Sequence, residues 1–298
     1  MIECRAPKTK KEFQQYYQLR WQILRAPWQQ AQGSEQDELE KQSIHRAIFD
    51  ADNNILAIGR LHFTDQHHAQ VRYMAVEEAV QGQGYGQRIL AALEQEAQLR
   101  GAKSLSLQAR ESALNFYQGL GYQYVAKSHL LYQQIQHHQM EKALAPLPAH
   151  LNELSTELQQ TWHNTIPLSK AMNIEISFYD KQRLITSCEP SFNKNLHNTM
   201  FAGSIYTLAT LTGWGWVYLQ LVNNECEGDI VLADASIKYL APIAGVVSSS
   251  TCETQVQGDI LALQSNQKAR FNVAVELYSG DIVAAKFIGK YVVLPKND

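Results

Sequence analysis

The sequence predicts two domains in series, an α/β fold followed by an α+β fold. Three observations predict this. In the first half, strand-like and helix-like runs alternate. In the second half, one long uncharged helix precedes a run of antiparallel-looking strands, as if a sheet curled around that helix. Between them lies Ala145-Pro146-Leu147-Pro148, the best linker candidate, which sets domains of 1–146 and 147–298. A chain of 298 residues allows two such domains, each with its own core.

The elements follow in order. Ile2 to Pro7 reads as a short strand, and Lys10 to Arg25 as an amphipathic helix with Phe13, Tyr16, Tyr17, Leu19 and Ile23 on or near one face. Residues 26–42, rich in Gln and Glu, read as an exposed loop. Strands are expected at Arg46–Asp50, Ile55–Thr64 and Gln70–Val76, with the turn signal Asp52-Asn53-Asn54 between the first two. A glycine-rich turn, Gln81–Gly86, opens a helix over Gln87–Arg100. Ser104–Gln108 returns as a strand, Ser112–Leu120 is a short helix, and strands around Tyr122–Ala126 and His129–Gln136 finish the domain.

The second domain starts with a helix, Leu151–Asn164, a turn at Pro167–Met172, and strands Ile174–Tyr179 and Arg183–Cys188. An Asn-rich loop from Glu189 to Thr199 leads into the long helix. Strands at Asp229–Tyr239, Gly245–Gln255, Ala269–Tyr278 and Ile282–Leu294 follow it.

Composition narrows the function classes. A hydrophobic content of 45% with 18% charged residues is that of a soluble globular protein. The net charge of −3, with neither half polybasic, argues against a nucleic-acid or anionic-membrane partner. Phe201 to Val222 is long enough to span a bilayer, but it contains Ser204, Thr207, Thr210, Thr212, Gln220 and three glycines, and no basic cluster flanks it. A helix apolar on nearly every side is also what an enclosing sheet requires. The N-terminus carries no apolar signal region, and Cys4, Cys188, Cys226 and Cys252 lie far apart. They read as free thiols of a cytoplasmic protein, with no metal-ligand spacing.

The first chemical motif is Val71-Arg72-Tyr73-Met74-Ala75-Val76 followed by Gln81-Gly82-Gln83-Gly84-Tyr85-Gly86. A glycine turn between a strand and a helix points backbone N–H groups at a pyrophosphate, and glycine lets backbone approach it without a Cβ in the way. The motif resembles the acetyl-CoA loop of the GNAT superfamily, Arg/Gln-x-x-Gly-x-Gly/Ala, with Gln81, Gly84 and Gly86 matching position by position. The resemblance covers roughly residues 1–142 and implies that acetyl-CoA or CoA is held by Met74, Ala75, Val76, Gln81, Gly82, Gln83, Gly84 and Gly86. Tyr117 sits where many GNAT enzymes place a general acid for the leaving thiolate. The family often has Asn seven residues earlier; here that position is Arg110.

The second motif is Asn193-Lys194-Asn195-Leu196-His197-Asn198-Thr199-Met200-Phe201-Ala202-Gly203-Ser204, which leads into the long helix. Amide, imidazole and hydroxyl groups gathered at a helix N-terminus, with its N–H groups and dipole, favour developing negative charge on a thioester oxygen. Asn198 or Thr199 could alternatively serve as N-cap. Hot-dog thioesterases activate water with a carboxylate, yet none lies between Lys194 and Glu225. Asp234 is the nearby candidate by sequence. Decarboxylation of a malonyl thioester needs no base to start.

This half closely resembles the C-terminal domain of the MadA (YiiD) family, in which a GNAT domain precedes a hot-dog domain. The carrying residues are Asn193 to Ser204, Leu208 to Gly215, Leu232-Ala233-Asp234-Ala235, Ile237-Lys238-Tyr239 and Tyr291 to Pro295. The resemblance implies decarboxylation of malonyl-acyl carrier protein to acetyl-acyl carrier protein, which can prime fatty acid synthesis. It implies a critical loop Asn at Asn195, with Asn193 as alternative, and substrate contacts at His197, Thr199, Ala202, Gly203 and Ser204. Acyl carrier protein and small-molecule acyl thioesters are the implied partners. Hot-dog domains pair, so a homodimer or higher oligomer is expected. Acyl-thioester hydrolysis, and N-acetyl transfer at Tyr117, stand as alternatives.

Overall fold

The computed structural model describes residues 2–145 and 149–296. Two compact units divide the chain, Met1–Gln98 with Ala102–Ala145, and Leu99–Gly101 with Pro146–Asp298. The expected linker lies, from Pro146 to Pro148, outside the described residues.

The first unit runs β1 (Glu3–Arg5), α1 (Lys10–Leu24), β2 (Ile44–Phe49), β3 (Ile55–Phe63), β4 (His68–Val76), α2 (Tyr85–Leu99), β5 (Ser104–Arg110), α3 (Leu114–Gly119), β6 (Gln123–Leu131) and β7 (Ile135–Ala143). Its sheet has the order β1-β2-β3-β4-β5-β7-β6. Among the described residues of this sheet, β4 and β5 alone pair in parallel, as a strand–helix–strand connection through α2 requires. Thr9 and Glu12 form a reciprocal cap at the start of α1. Alternation along β2 sends Ile44 and Ile48 into one apolar cluster with Ile89, Leu90 and Leu93 of α2. It sends Ala47 and Phe49 into another with Tyr16 and Leu19 of α1. A helix therefore covers each face of the sheet.

Two expectations are corrected here. The strands foreseen around Tyr122–Ala126 and His129–Gln136 are instead β6 and β7, joined at Tyr132 and Gln133, which both have positive φ. The polar residues near Lys127 mark an irregularity within β6 rather than a turn. Residues 26–42 are not simply exposed either: Asp37 accepts from Arg60 Nη1 at 2.5 Å, and Glu40 accepts from Arg20 Nη1 at 2.7 Å. Arg20 and Arg60 are fully buried, so the carboxylates turn inward to neutralise them.

The second unit runs α4 (Ala149–Thr165), α5 (Pro167–Ala171), β8 (Glu175–Tyr179), β9 (Arg183–Cys188), α6 (Ala202–Asn223), β10 (Asp229–Tyr239), β11 (Val247–Cys252), β12 (Val256–Gly258), β13 (Ala269–Ser279) and β14 (Ile282–Leu294). The sheet order is β10-β14-β13-β11-β9-β8, with β12 beside β13. Helix α6 buries Leu208, Ala209, Leu211, Trp216, Val217 and Leu219 against the apolar faces of β13 and β14. This is the sheet-around-helix α+β fold that its uncharged sequence predicts. No helix among the described residues is long and apolar enough to cross a membrane.

Glycine sets how closely the sheet approaches α6. Tyr291 donates to Thr210 O at 2.7 Å, and its ring lies 2.9 Å from where a Cβ on Gly213 would stand. Gly213→Ala should gain about 1 kcal/mol of helix propensity. Overpacking of about 1–3 kcal/mol and disturbance of the Tyr291 hydrogen bond outweigh it. We expect a net loss of about 1–2 kcal/mol, read as a lower urea midpoint for this unit's transition.

Candidate functional site

In the first unit, β4 and β5 pair only as far as Val71 and Leu107. Beyond that point β4 stays with β3, through Ala75 opposite Ile58 and Val76 opposite Ala57. β5 meanwhile pairs with β7 through Arg110 opposite His137. The strands part, and a cavity of about 660 Å³ opens between them. Met74, Ala75 and Val76 line one side, with Leu107, Gln108 and Ala109 on the other. The edge of β4 that turns from β5 after Val71 leaves amide groups available to an extended ligand's own amides.

At one end of the cavity, Gln81, Gly82, Gly84 and Gly86 lead into α2. Gly82 and Gly84 take φ of 77° and 83°, which L-residues avoid, and a Cβ on either would project into open space. Gln81 Nε2 donates to Val76 O at 3.1 Å and ties the turn to the strand. The first N–H groups of α2 precede the bond from Arg88 N to Gly84 O, so they remain open to an anion. Gln83 is not among the lining residues, whereas Tyr85, Gln87 and Phe116 are.

At the other end stand Tyr73, Tyr117, Arg25, Arg72, Arg110, His129 and His137. Tyr117 Oη lies 3.6 Å from Met74 Sδ. Burial pushes the Tyr117 phenol up to about 12, with Arg110 acting the other way, so it keeps its proton through neutral pH. Tyr73 holds a left-handed φ of 56° in a β-bulge where it and Met74 oppose Gly59. Its hydroxyl donates to Asp37 Oδ2 at 3.1 Å. None of the bulge, the guanidinium cluster or the stacked His129 and His137 rings, 4.7 Å apart, was foreseen in the sequence. A non-glycine bulge has no local signature.

In the second unit, the segment 193–201 folds as a tight hairpin, with Lys194 bridged to Met200. Asn195 organises it. Its Oδ1 accepts from His197 N at 2.9 Å and Thr199 N at 3.3 Å, and its Nδ2 donates to Thr199 Oγ1 at 3.1 Å. Asn195 is half-buried, and one of its two amide protons has no partner among the described residues. Asn193 is instead buried, donating to Met172 O at 3.2 Å and Glu189 O at 2.7 Å. It ties the hairpin to the body of the unit. His197 is exposed, and Thr199 is half-buried beside Asn195.

Helix α6 begins at Ala202, three residues after Thr199, with Phe201 as N-cap and no side-chain cap hydrogen bond. Neither Asn198 nor Thr199 caps it: Asn198 has φ 58° in the hairpin turn, and Thr199 Oγ1 faces Asn195. The first intrahelical bond runs from Ile205 N to Phe201 O, leaving the N–H groups of Ala202, Gly203 and Ser204 free of the helix ladder. The Phe201 ring lies against Gly203, leaving no room for a Cβ there. Tyr239 donates to Ala202 O at 3.1 Å and brings the end of β10 to the same place.

Two carboxylates come into question as bases here, and each has a partner of its own. Glu189 Oε1 accepts from Ser191 N at 3.0 Å and Ser191 Oγ at 2.7 Å. Asp234, fully exposed on β10, pairs with Lys290 at 2.8 Å, which lowers its pKa and weakens it as a base. Five strand residues, about 17 Å, separate it from Tyr239.

These two sites define a GNAT acetyltransferase fold and a thioesterase-like fold in one chain. The GNAT acetyltransferase family model matches residues 13–122, and the model described as putative thioesterase (yiiD_Cterm) matches residues 155–295. The chain thus carries a GNAT domain followed by a YiiD_C domain of the kind described as putative thioesterase. A putative thioesterase from Shewanella oneidensis is 43% identical over 49% of this chain and 100% of its own, with a TM-score of 0.46. A putative N-acetyltransferase from Lactobacillus plantarum is 21% identical over 49% of this chain and 98% of its own, with a TM-score of 0.43. An aminoglycoside 6'-N-acetyltransferase complexed with coenzyme A is 16% identical over 50% of this chain and 99% of its own, with a TM-score of 0.43.

The glycine turn is directly testable. Gly84→Val imposes a left-handed strain of about 1–2 kcal/mol and fills the space a phosphate would use. With coenzyme A as the probe in calorimetry on the full chain, any affinity seen for wild type is expected to fall by about tenfold or more in the variant, with the far-ultraviolet circular dichroism unchanged.

Proposed function

We propose that this protein decarboxylates malonyl-acyl carrier protein to acetyl-acyl carrier protein at the hairpin and α6 N-terminus, and that its N-terminal cavity binds acetyl-CoA or CoA. Residues 1–146 and 147–298 are the corresponding functional halves. The observation that carries the first reading is the free amide proton of Asn195 on a hairpin that delivers an uncapped helix N-terminus. Both are donors for an oxyanion, and residues 195–224 hold no charged side chain.

The step follows from that chemistry. The malonyl thioester binds with its carboxylate out of the thioester plane. The bond between the α-carbon and the carboxylate breaks and releases CO₂. Its electron pair forms the C=C bond of an enolate whose charge rests on the thioester oxygen. Asn195 Nδ2 and N–H groups of Ala202, Gly203 and Ser204 stabilise that oxygen. A proton from water then adds to the α-carbon and gives the acetyl thioester. No general base takes part, in keeping with Glu189 and Asp234 being occupied elsewhere.

An acidic carrier protein needs local positive charge. Lys286 and Lys290 are neutralised by Glu276 and Asp234. Lys238, Lys268 and Arg270 have no ion-pair partner among the described residues. Lys238 lies on the face of β10 opposite to Tyr239, whose hydroxyl reaches the start of α6, so carrier protein docks at this end of the edge strand rather than on one face. β10 is one of the two outer strands of its sheet and exposes Val231 and Tyr239, and a second copy adds there to make at least a homodimer.

The test incubates the full chain with malonyl-acyl carrier protein and identifies products by mass. Acetyl-carrier protein is expected from wild type, with a loss of about 100-fold or more for Asn195→Ala. Asp234→Asn should retain the rate. Free holo-carrier protein as the main product would replace decarboxylation by hydrolysis.

A further inference from the structure

The inner end of the N-terminal cavity carries an unbalanced charge. Arg25, Arg72 and Arg110 line it with His129 and His137, and no Asp or Glu is among the lining residues. Arg72 reaches Asp37 at 3.5 Å, but Asp37 is already held by Arg60 through two hydrogen bonds of 2.5 and 3.0 Å. Arg25 Nε donates to Ser34 O at 3.0 Å, a neutral partner. The guanidinium of Arg110, half-buried at the end of β5, has no hydrogen bond or ion pair to any described residue. Burial lowers its pKa, and Arg25 acts in the same direction. Like charges gathered in a cleft without a counter-charge raise the local potential and favour an anion there.

This charge is not at the phosphate end. The glycine turn follows Val76, and Tyr73 lies three strand residues earlier, about 10 Å along β4. Arg110 is opposite His137 across the β5–β7 pair, and its charge is felt by Tyr117, whose hydroxyl is 3.6 Å from Met74 Sδ. The cluster therefore surrounds the place where an acyl group and its acceptor would meet. An ammonium acceptor would be repelled there, and no carboxylate lines the cavity to take its proton.

We infer that the inner end of this cavity binds a carboxylate, with Arg110 as its principal partner and Arg25 and Arg72 beside it. The carboxylate is carried either by the acyl group of a short dicarboxylic acyl-CoA or by the acceptor. Arg110 supplies the forked donor set that matches a carboxylate. The inference rests on the cavity being an acyl-CoA site. Failure of that reading would appear as no CoA binding at all, whereas failure of the inference would appear as binding blind to a carboxylate.

Calorimetry on the full chain compares succinyl-CoA with butyryl-CoA, which share a four-carbon acyl length. If the acyl group carries the carboxylate, succinyl-CoA binds about tenfold or more tightly, Arg110→Gln closes the gap and Arg110→Lys recovers part of it. If the acceptor carries it, the two thioesters bind alike. The CoA-loaded protein then binds succinate or glutamate, and Arg110→Gln abolishes that binding. Circular dichroism confirms that the variants fold, and the wild-type comparison does not depend on them. The inference is overturned if the thioesters bind alike and neither free carboxylate binds. A preference that survives in folded Arg110→Gln overturns it equally.

Discussion

The N-terminal site depends on one constrained residue. Tyr73 sits at φ 56° in the bulge opposite Gly59, a conformation that costs a non-glycine residue about 1–2 kcal/mol. The surroundings over-determine it. Its hydroxyl is fixed to Asp37, and the guanidiniums of Arg20, Arg60 and Arg72 each lie 4.7 Å from its ring centre. Gly59 completes the lock. A Cβ there would stand 2.7 Å from Ile89 and 2.8 Å from Leu93, so α2 rests directly on β3 at the bulge. Tyr16 of α1 donates to Gly59 O at 2.8 Å from its own buried position. Both helices thus bear on the point where β4 turns away from β5, and the cavity follows from that turn.

The second unit reaches an open polar site by another route. The sides of α6 are buried and carry no charged residue, so the helix is held by shape and by hydroxyls. Thr212 donates to Leu208 O at 2.8 Å and lies within hydrogen-bond distance of Thr186, at 2.7 Å, and Ser249, at 2.8 Å. These link the helix to β9 and β11 in an otherwise apolar interior, where a satisfied polar cluster fixes register. With its middle fastened, the helix presents its first turn to the hairpin. Asn193 anchors the hairpin from within, and Asn195 shapes its tip.

What the sequence made legible was local and contiguous. Gln81–Gly86 declares itself because glycines at a strand–helix junction have few other uses. Asn193–Ser204 does so because its polar residues crowd one helix start. The length and polarity of α6 predict the enclosing sheet before any strand pairing is known. What stayed hidden depends on convergence. Arg20, Asp37, Glu40, Arg60 and Tyr73 come from separate segments, and nothing within any one of them marks the cluster. The two loop asparagines are indistinguishable by spacing. Burial alone separates Asn193, which fastens, from Asn195, which retains a free proton. The cap of α6 was misjudged for a related reason: Thr199 spends its hydroxyl on Asn195, so the helix starts later and bare.

The two sites stabilise negative charge in opposite ways, and that difference bears on which could lose CO₂. A fixed cation such as Arg110 binds a carboxylate as it stands, lowering the ground state along with anything that follows. Holding the scissile carboxylate of a malonyl group there would oppose its departure as neutral CO₂. The start of α6 offers only dipoles: backbone N–H groups and the Asn195 amide, in a segment without charged side chains. Such donors interact weakly with a neutral thioester carbonyl and strongly with the enolate oxygen that replaces it. Charge that appears only during the reaction is therefore favoured at the hairpin, and charge already present is favoured in the cavity. In the proposed reading, decarboxylation therefore falls to the first arrangement and carboxylate recognition to the second.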